Sequence, residues 1–191
     1  MFVFGHIGIT VGIAKGCEML TAPAIRDNQR WLSWLNNRVG GIDYRLVALG
    51  SLLPDIIDKP VWFIATNIMG GTALSGRDYT HTLLFNLVLI VGALVSLRHG
   101  KHWLLLLSLG SFTHLILDYL WQSPAVLLWP LLGPLAREET SGWLSGVFQS
   151  LFFQPEVYIP EIIGLLIITL LAYRLVERKG IAGFVRIGAI D

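Results

Sequence analysis

The chain has 191 residues and a formal net charge of +1, with 54% hydrophobic and only 14% charged residues; its mean hydropathy is +0.64. Those values exclude an ordinary soluble globular composition, and the near-zero charge removes the electrostatic footprint of a nucleic-acid-binding protein, so no nucleic-acid partner is expected. The single cysteine, Cys17, excludes an internal disulfide and a cysteine-rich metal site.

Residues 2–14 form an apolar, glycine-rich run interrupted by His6 and Thr10. At about 13 residues it is short for a full crossing and predicts a tilted or partly inserted helix. No basic region precedes it, so it reads as a retained segment and not as a cleaved signal. A basic stretch follows, with Lys15, Arg26, Arg30, Arg38 and Arg45. Within it, Trp31-Leu32 and Trp34-Leu35 alternate with polar residues as in an interfacial amphipathic helix. The second apolar run, 46–57, leads into Pro54-Asp55-Ile56-Ile57-Asp58, and Pro54 predicts a break or kink just before Asp55. Residues 61–74 are interrupted by Asn67, Gly70 and Gly71 and read as a loop or short helix.

Gly76-Arg77-Asp78-Tyr79-Thr80-His81 then precedes two expected spans, 82–97 and 103–120, joined by the basic turn Arg98-His99-Gly100-Lys101-His102. From 121 to 158 the chain is mixed, with Pro124, Pro130, Pro134 and Pro155 breaking any long helix and an acidic pair at Glu138-Glu139. A last span covers 160–176, closed at the interface by Glu177-Arg178-Lys179. Basic residues concentrate in 15–45, 98–102 and 174–186, which the positive-inside bias assigns to the cytoplasm. The expected fold is an all-α, polytopic membrane helical bundle with five embedded segments, the N-terminus outside and the C-terminus inside.

In that topology His6, Asp55, His81 and the His114–Asp118 pair fall toward the same outer face. His114 and Asp118 are four residues apart, one turn along one helix face. A buried carboxylate needs neutralising, and a cation is one natural partner; a His–Asp hydrogen bond packed between helices is the structural alternative. Imidazole nitrogen with carboxylate oxygen suits Zn²⁺, with Mn²⁺ and Fe²⁺ also compatible. Asp55, His81, His114 and Asp118 would complete one four-ligand site, and His6 with a shared Asp118 would start a second. A carboxylate bridging two metals about 3.5–4 Å apart suits phosphoester hydrolysis.

Other readings stand beside these. Asp55 also reads as a helix cap and His81 as a headgroup-level residue. Asp58 reads as a ligand, as an acceptor for a histidine N–H, or as a surface charge. Asp78 reads as an N-terminal helix residue facing the dipole. Arg77 reads as a guanidinium that holds a phosphate or as a headgroup-facing arginine. His99 and His102, in the basic turn, are left out of the site. Ser111 and Ser123 lack a nucleophile-elbow context, and no His-Glu-x-x-His metalloprotease motif is present.

Four pieces in sequence order, namely His6, Gly-Ser-Leu-Leu-Pro-Asp-Ile at 50–56, Thr80-His81-Thr82-Leu83-Leu84 and His114-x-x-x-Asp118, followed by Leu127-Leu128-Trp129-Pro130, resemble the YdjM-type membrane-bound metal-dependent hydrolases. These are bacterial and archaeal inner-membrane proteins first noted as LexA-regulated. The resemblance covers roughly residues 1–135, the implied hydrolase-like core, ahead of a loop at 136–159, the final transmembrane helix at 160–176 and a cytoplasmic tail at 177–191. That family is distantly similar to zinc-dependent phospholipase C and the single-strand-specific zinc nucleases. The similarity implies Asp55, His81, His114, Asp118 and His6 as metal ligands, with Asp118 bridging two zinc ions and Asp55 also a candidate general base. Gly76-Arg77-Asp78 stands where the family often has His-Arg-Gly, and no histidine follows His114, so one or two metals are expected and not three.

The expected function is hydrolysis of a phosphoester in a lipid or other membrane-associated substrate, at a bacterial or archaeal cytoplasmic membrane. The rivals are a metal or ion transporter using the same ligands transiently, and a non-catalytic membrane protein in which His114–Asp118 ties helices together.

Overall fold

A computed structural model describes residues 1–26, 41–68, 76–133 and 143–190. Trp31, Trp34, Gly70, Gly71, Pro134, Glu138 and Glu139, and the features expected of them, lie outside the described residues. Helices account for the regular structure, and no strand occurs among the described residues. They are α1 (Val3–Arg26), α2 (Tyr44–Asn67), α3 (Leu83–Arg98), α4 (Trp103–Leu117), a 3₁₀ turn (Leu120–Gln122), α5 (Pro124–Leu127), α6 (Trp143–Phe153), α7 (Pro155–Glu177) and α8 (Ile181–Ile187).

Several elements differ from expectation. Helix α1 is 24 residues long and continues well past residue 14. Lys15 does not end it, because its ammonium is paired with Glu18 at 2.6 Å and with the carbonyl of Ile190. Helix α2 runs through Pro54 and Pro60, so of the break or kink expected before Asp55 the break does not occur. A proline removes one backbone N–H and disfavours a helical predecessor without forbidding it. Here packing of α2 against α1 and α4 outweighs that local cost. The same helix extends to Asn67, into the stretch read as a loop or short helix. Between 136 and 159, Trp143–Phe153 is helical. The expected tail folds back: α8 is followed by Ile190, which is buried with Val11, Tyr44, Val47, Leu106 and Leu171 in one apolar cluster. The backbone N–H of Tyr44 donates to the Gly188 carbonyl at 2.9 Å.

Helix α2 packs along α4, α1 lies between α2 and α7, and α3 covers α4. Small residues allow the close approaches. A Cβ on Gly110 of α4 would lie 2.7 Å from backbone atoms of Ser51 and Val47, and one on Gly164 of α7 would lie 2.1 Å from the carbonyl of Phe4. Contacts of this kind are typical of helices associating in lipid, where packing and not water exclusion drives contact.

Burial is inverted relative to a soluble protein. Asn86 and Ala93 are the buried residues of α3, whereas Leu84, Leu87, Val88, Val91, Leu94 and Val95 are exposed. Ser51, Asp58, His6, His81, Ser108, Ser111 and His114 are fully buried. An apolar exterior around a polar interior is the arrangement a lipid solvent selects. Helices α1 (over Val3–Thr21) and α7 (Pro155–Glu177) are the two, among the described residues, long and apolar enough to cross a membrane. Helices α3 and α4 have 16 and 15 residues, about 24 and 22 Å at 1.5 Å per residue, shorter than a full span requires.

Candidate metal centre

Four elements converge at one end of the bundle. His6 comes from the second turn of α1, Asp55 and Asp58 from the middle of α2, His81 from the turn ahead of α3, and His114 from the last turn of α4. Asp118 caps the C-terminus of α4, where Tyr119 turns the chain aside in the left-handed region (φ 52°). Helix α4 therefore ends at the aspartate and not at residue 120. Asp55 lies inside a helix, which removes the capping interpretation, and His81 is completely buried, so its side chain faces the protein interior and not lipid headgroups.

Hydrogen bonds fix the two central rings. Nδ1 of His114 lies 2.7 Å from the carbonyl oxygen of Ser51. A carbonyl only accepts, so Nδ1 carries the proton and Nε2 presents a lone pair. Nδ1 of His81 lies 2.8 Å from Asp58 Oδ2. Both oxygens of Asp58 already accept from backbone N–H groups, Thr80 at 3.0 and 3.1 Å and Tyr79 at 3.2 Å. Asp58 thus serves as the acceptor for the Nδ1 proton, and His81 too directs Nε2 inward. These orienting bonds are the kind that hold metal-binding histidines in one tautomer.

The consequence is a contact that demands positive charge. The two Nε2 atoms face each other at 3.2 Å, with Asp55 Oδ1 at 3.5 Å from His81 and 3.9 Å from His114. Two lone pairs at that distance repel unless a proton or a metal cation intervenes. Burial alone would lower the pKa of His81, but the carboxylates of Asp55 and Asp58 outweigh it and raise the value above the ordinary one. Without a metal, a proton on His81 meets the demand; a divalent ion drawing on the same lone pairs would displace it.

His6 stacks on His114, with ring centroids 3.9 Å apart and planes 16° from parallel. Its Nε2 lies 3.1 Å from Asp118 Oδ1 but off hydrogen-bonding alignment, and neither ring nitrogen has a hydrogen bond. A fully buried imidazole with two unsatisfied nitrogens beside a carboxylate is uncommon in a purely structural role. Asp118 Oδ1 also accepts from the Met1 amine at 2.8 Å, and Oδ2 lies 3.2 Å from an Arg77 guanidinium nitrogen.

Two groups therefore have ligand atoms close enough for one ion: Asp55, His81 and His114, and His6, His114 and Asp118, each within 4.8 Å. Their donor sets fit Zn²⁺ and similar divalent metals. His114 is common to both, yet a single Nε2 lone pair serves one ion at a time. Only a carboxylate can bridge, and Asp118 Oδ2 lies 3.9 Å from His114 Nε2.

All five residues read as ligands in the sequence meet at this point, and Arg77 reaches it from the side. Asp58 occupies the acceptor position that was one of its three readings. Asp78 is not in the first turn of α3; it is buried in the preceding turn and accepts from the Gly76 N–H at 3.0 Å. Two residues went unread. Lys59 binds Asp55 Oδ2 at 2.6 Å, a pairing visible in the i,i+4 spacing. Glu161 of α7 accepts from the N–H groups of Phe2, Phe4 and Gly5 at 2.7–3.1 Å and so holds the start of α1, and with it His6. Nothing local marks that role.

No curated protein and no solved structure matches this chain. The YdjM inner membrane protein model matches residues 1–184. The chain belongs to the YdjM inner membrane protein family.

Proposed function

We propose that this protein is a membrane-bound metal-dependent hydrolase that cleaves a phosphoester in a lipid or membrane-associated substrate. The facing Nε2 atoms of His81 and His114 carry the proposal, because their tautomers leave two lone pairs and a nearby carboxylate aimed at one point. Asp55, His81 and His114 would hold one ion; His6 and Asp118 would hold a second, with Asp118 spanning toward the first. A divalent ion held there supplies Lewis acidity and a water acidic enough to act as a nucleophile near neutral pH. In this reading Asp55 would serve as general base for the attacking water, and Arg77 would hold a phosphate oxygen.

The resemblance read in the sequence to zinc-dependent phospholipase C and zinc nucleases would imply the same roles. In our reading the bundle is polytopic, with α1, α2, α3, α4 and α7 embedded. The basic turn 98–102 and the segment 174–186 face the cytoplasm and the N-terminus lies outside, which sets the centre at headgroup depth.

The test is metal analysis of the purified protein, followed by phospholipid turnover before and after chelation. Zinc at one or two equivalents and chelator-sensitive turnover are expected. A His114→Ala variant that keeps all its metal would sink the reading. A transporter is the second reading, favoured by one observation: Ser111 and Ser108 continue from His114 down α4 as buried hydroxyls, and Ser111 Oγ has no hydrogen bond. Metal flux in proteoliposomes without hydrolysis would select it.

A further inference from the structure

We infer that Lys59 and Arg77 form a two-cation clamp at the mouth of the centre that receives the phosphate group of an anionic ligand. The inference rests on the metal reading above and adds a residue, Lys59, to it. Asp55 divides its oxygens between an inner and an outer partner, and Asp118 shares one oxygen between them. Asp55 turns Oδ1 toward His81 and His114 and Oδ2 toward Lys59. Asp118 turns Oδ1 toward His6, and its Oδ2 meets Arg77 as well as facing His114. The histidines are fully buried, whereas the Lys59 and Arg77 side chains are 51% and 50% exposed. Both cations therefore sit between the ligands and the outside.

They also approach from different elements that are joined to each other. Lys59 lies one turn beyond Asp55 on α2, next to Asp58, and Asp58 anchors the backbone of Tyr79 and Thr80 in the turn that carries Arg77. In each pair the cation is the exposed half and the carboxylate is buried behind it, 11% exposed for Asp55 and 3% for Asp118, so each cation offsets carboxylate charge that no metal yet draws on. A divalent ion on the inner oxygens would claim the carboxylate charge and repel both cations. Flexible heads in that position turn outward and are then satisfied by an anion bridging them: the ammonium as a point charge, the guanidinium as a two-pronged donor.

The experiment uses the full chain in detergent, loaded with zinc and titrated calorimetrically with inorganic phosphate. Lys59→Gln and Arg77→Gln are each expected to weaken phosphate binding about tenfold or more, with zinc content unchanged and Lys59→Arg retaining most of the affinity. Repeating the titration in phosphatidylcholine nanodiscs, with and without phosphatidic acid, separates the sources of the phosphate. Competition by the lipid in wild type, lost in Lys59→Gln, assigns the clamp to a lipid headgroup; no competition assigns it to a soluble phosphate. Phosphate affinity unchanged in both Gln variants overturns the inference, as does affinity that falls only in step with lost zinc. Wild-type protein that takes up no zinc refutes the metal centre itself, and the clamp falls with it.

Discussion

Removing the Glu161 carboxylate should loosen the metal centre from a distance. Glu161 is 7% exposed and accepts three backbone N–H bonds at the start of α1. The first N–H groups of a helix have no internal partners, and a carboxylate there also meets the positive end of the helix dipole. Leaving charge-assisted partners unsatisfied in a buried site costs about 1.5–3 kcal/mol each, and such losses are not additive. Glu161→Ala should therefore destabilise the metal-free protein by about 3–5 kcal/mol, and Glu161→Gln by less, since one acceptor oxygen remains. Equilibrium unfolding in mixed micelles containing a chelator measures this directly. His6 lies one residue beyond Gly5, so metal stoichiometry in Glu161→Ala should drop toward the single ion held by Asp55, His81 and His114. A loss below 1 kcal/mol, with metal content unchanged, would refute the role given to α7.

Three further outcomes follow from other contacts. Asp58→Asn leaves the metal ligands in place but weakens the hold on the His81 tautomer, so zinc affinity should fall about 10- to 100-fold in a chelator-competition titration. Gly110→Ala places a Cβ 2.7 Å from the backbone of α2, which should force α2 and α4 apart at a cost of about 1–3 kcal/mol in the same unfolding assay. Asp43 caps α2 and bonds Arg45, and that side-chain bond, against a smaller effect of burial, holds its pKa below the ordinary carboxylate value. Because the folded-state pKa is the lower one, its contribution is full above the unfolded value near 3.9 and is lost as pH falls through the folded value. Asp43→Ala should thus cost about 1 kcal/mol at neutral pH, and the difference from wild type should shrink in acid.

The candidate ligands were legible because their chemistry conflicts with their setting. His6, His114 and Asp118 stand in apolar runs, where a charged or hydrogen-bonding side chain needs a reason to be present. Asp55 and His81 could be added by counting, since imidazole and carboxylate are scarce in this chain. The path of the backbone was less legible. Pro54 carries a strong local signal for a break, yet α2 continues, because the close contact of Gly110 with Ser51 and Val47 and the bond from His114 to the Ser51 carbonyl are made far along the chain. Such contacts leave no trace at residues 50–58. The same limit hid Glu161, whose partners lie more than 150 residues away, and it hid Ile190, which reads as a tail residue and packs as core.

That limit bears on how the centre works as a unit. The quoted motifs end at Pro130, but the start of α1 is held by α7, and the N-terminal end of α2 is held by α8 and the residues that follow it. His6 is placed by the first of these contacts. Asp55 and Asp58 ride on the helix anchored by the second, through the Tyr44 bond to Gly188 and the Arg45 bond to the Val185 carbonyl. The C-terminal quarter therefore supplies no ligand and still sets the geometry of three acidic or basic groups in the centre. Truncation after 135 would leave every ligand in the chain, with α1 uncapped and α2 unanchored. Such a fragment should bind metal weakly and with fewer ions than the full chain, a difference that parallel zinc titrations of the two would expose.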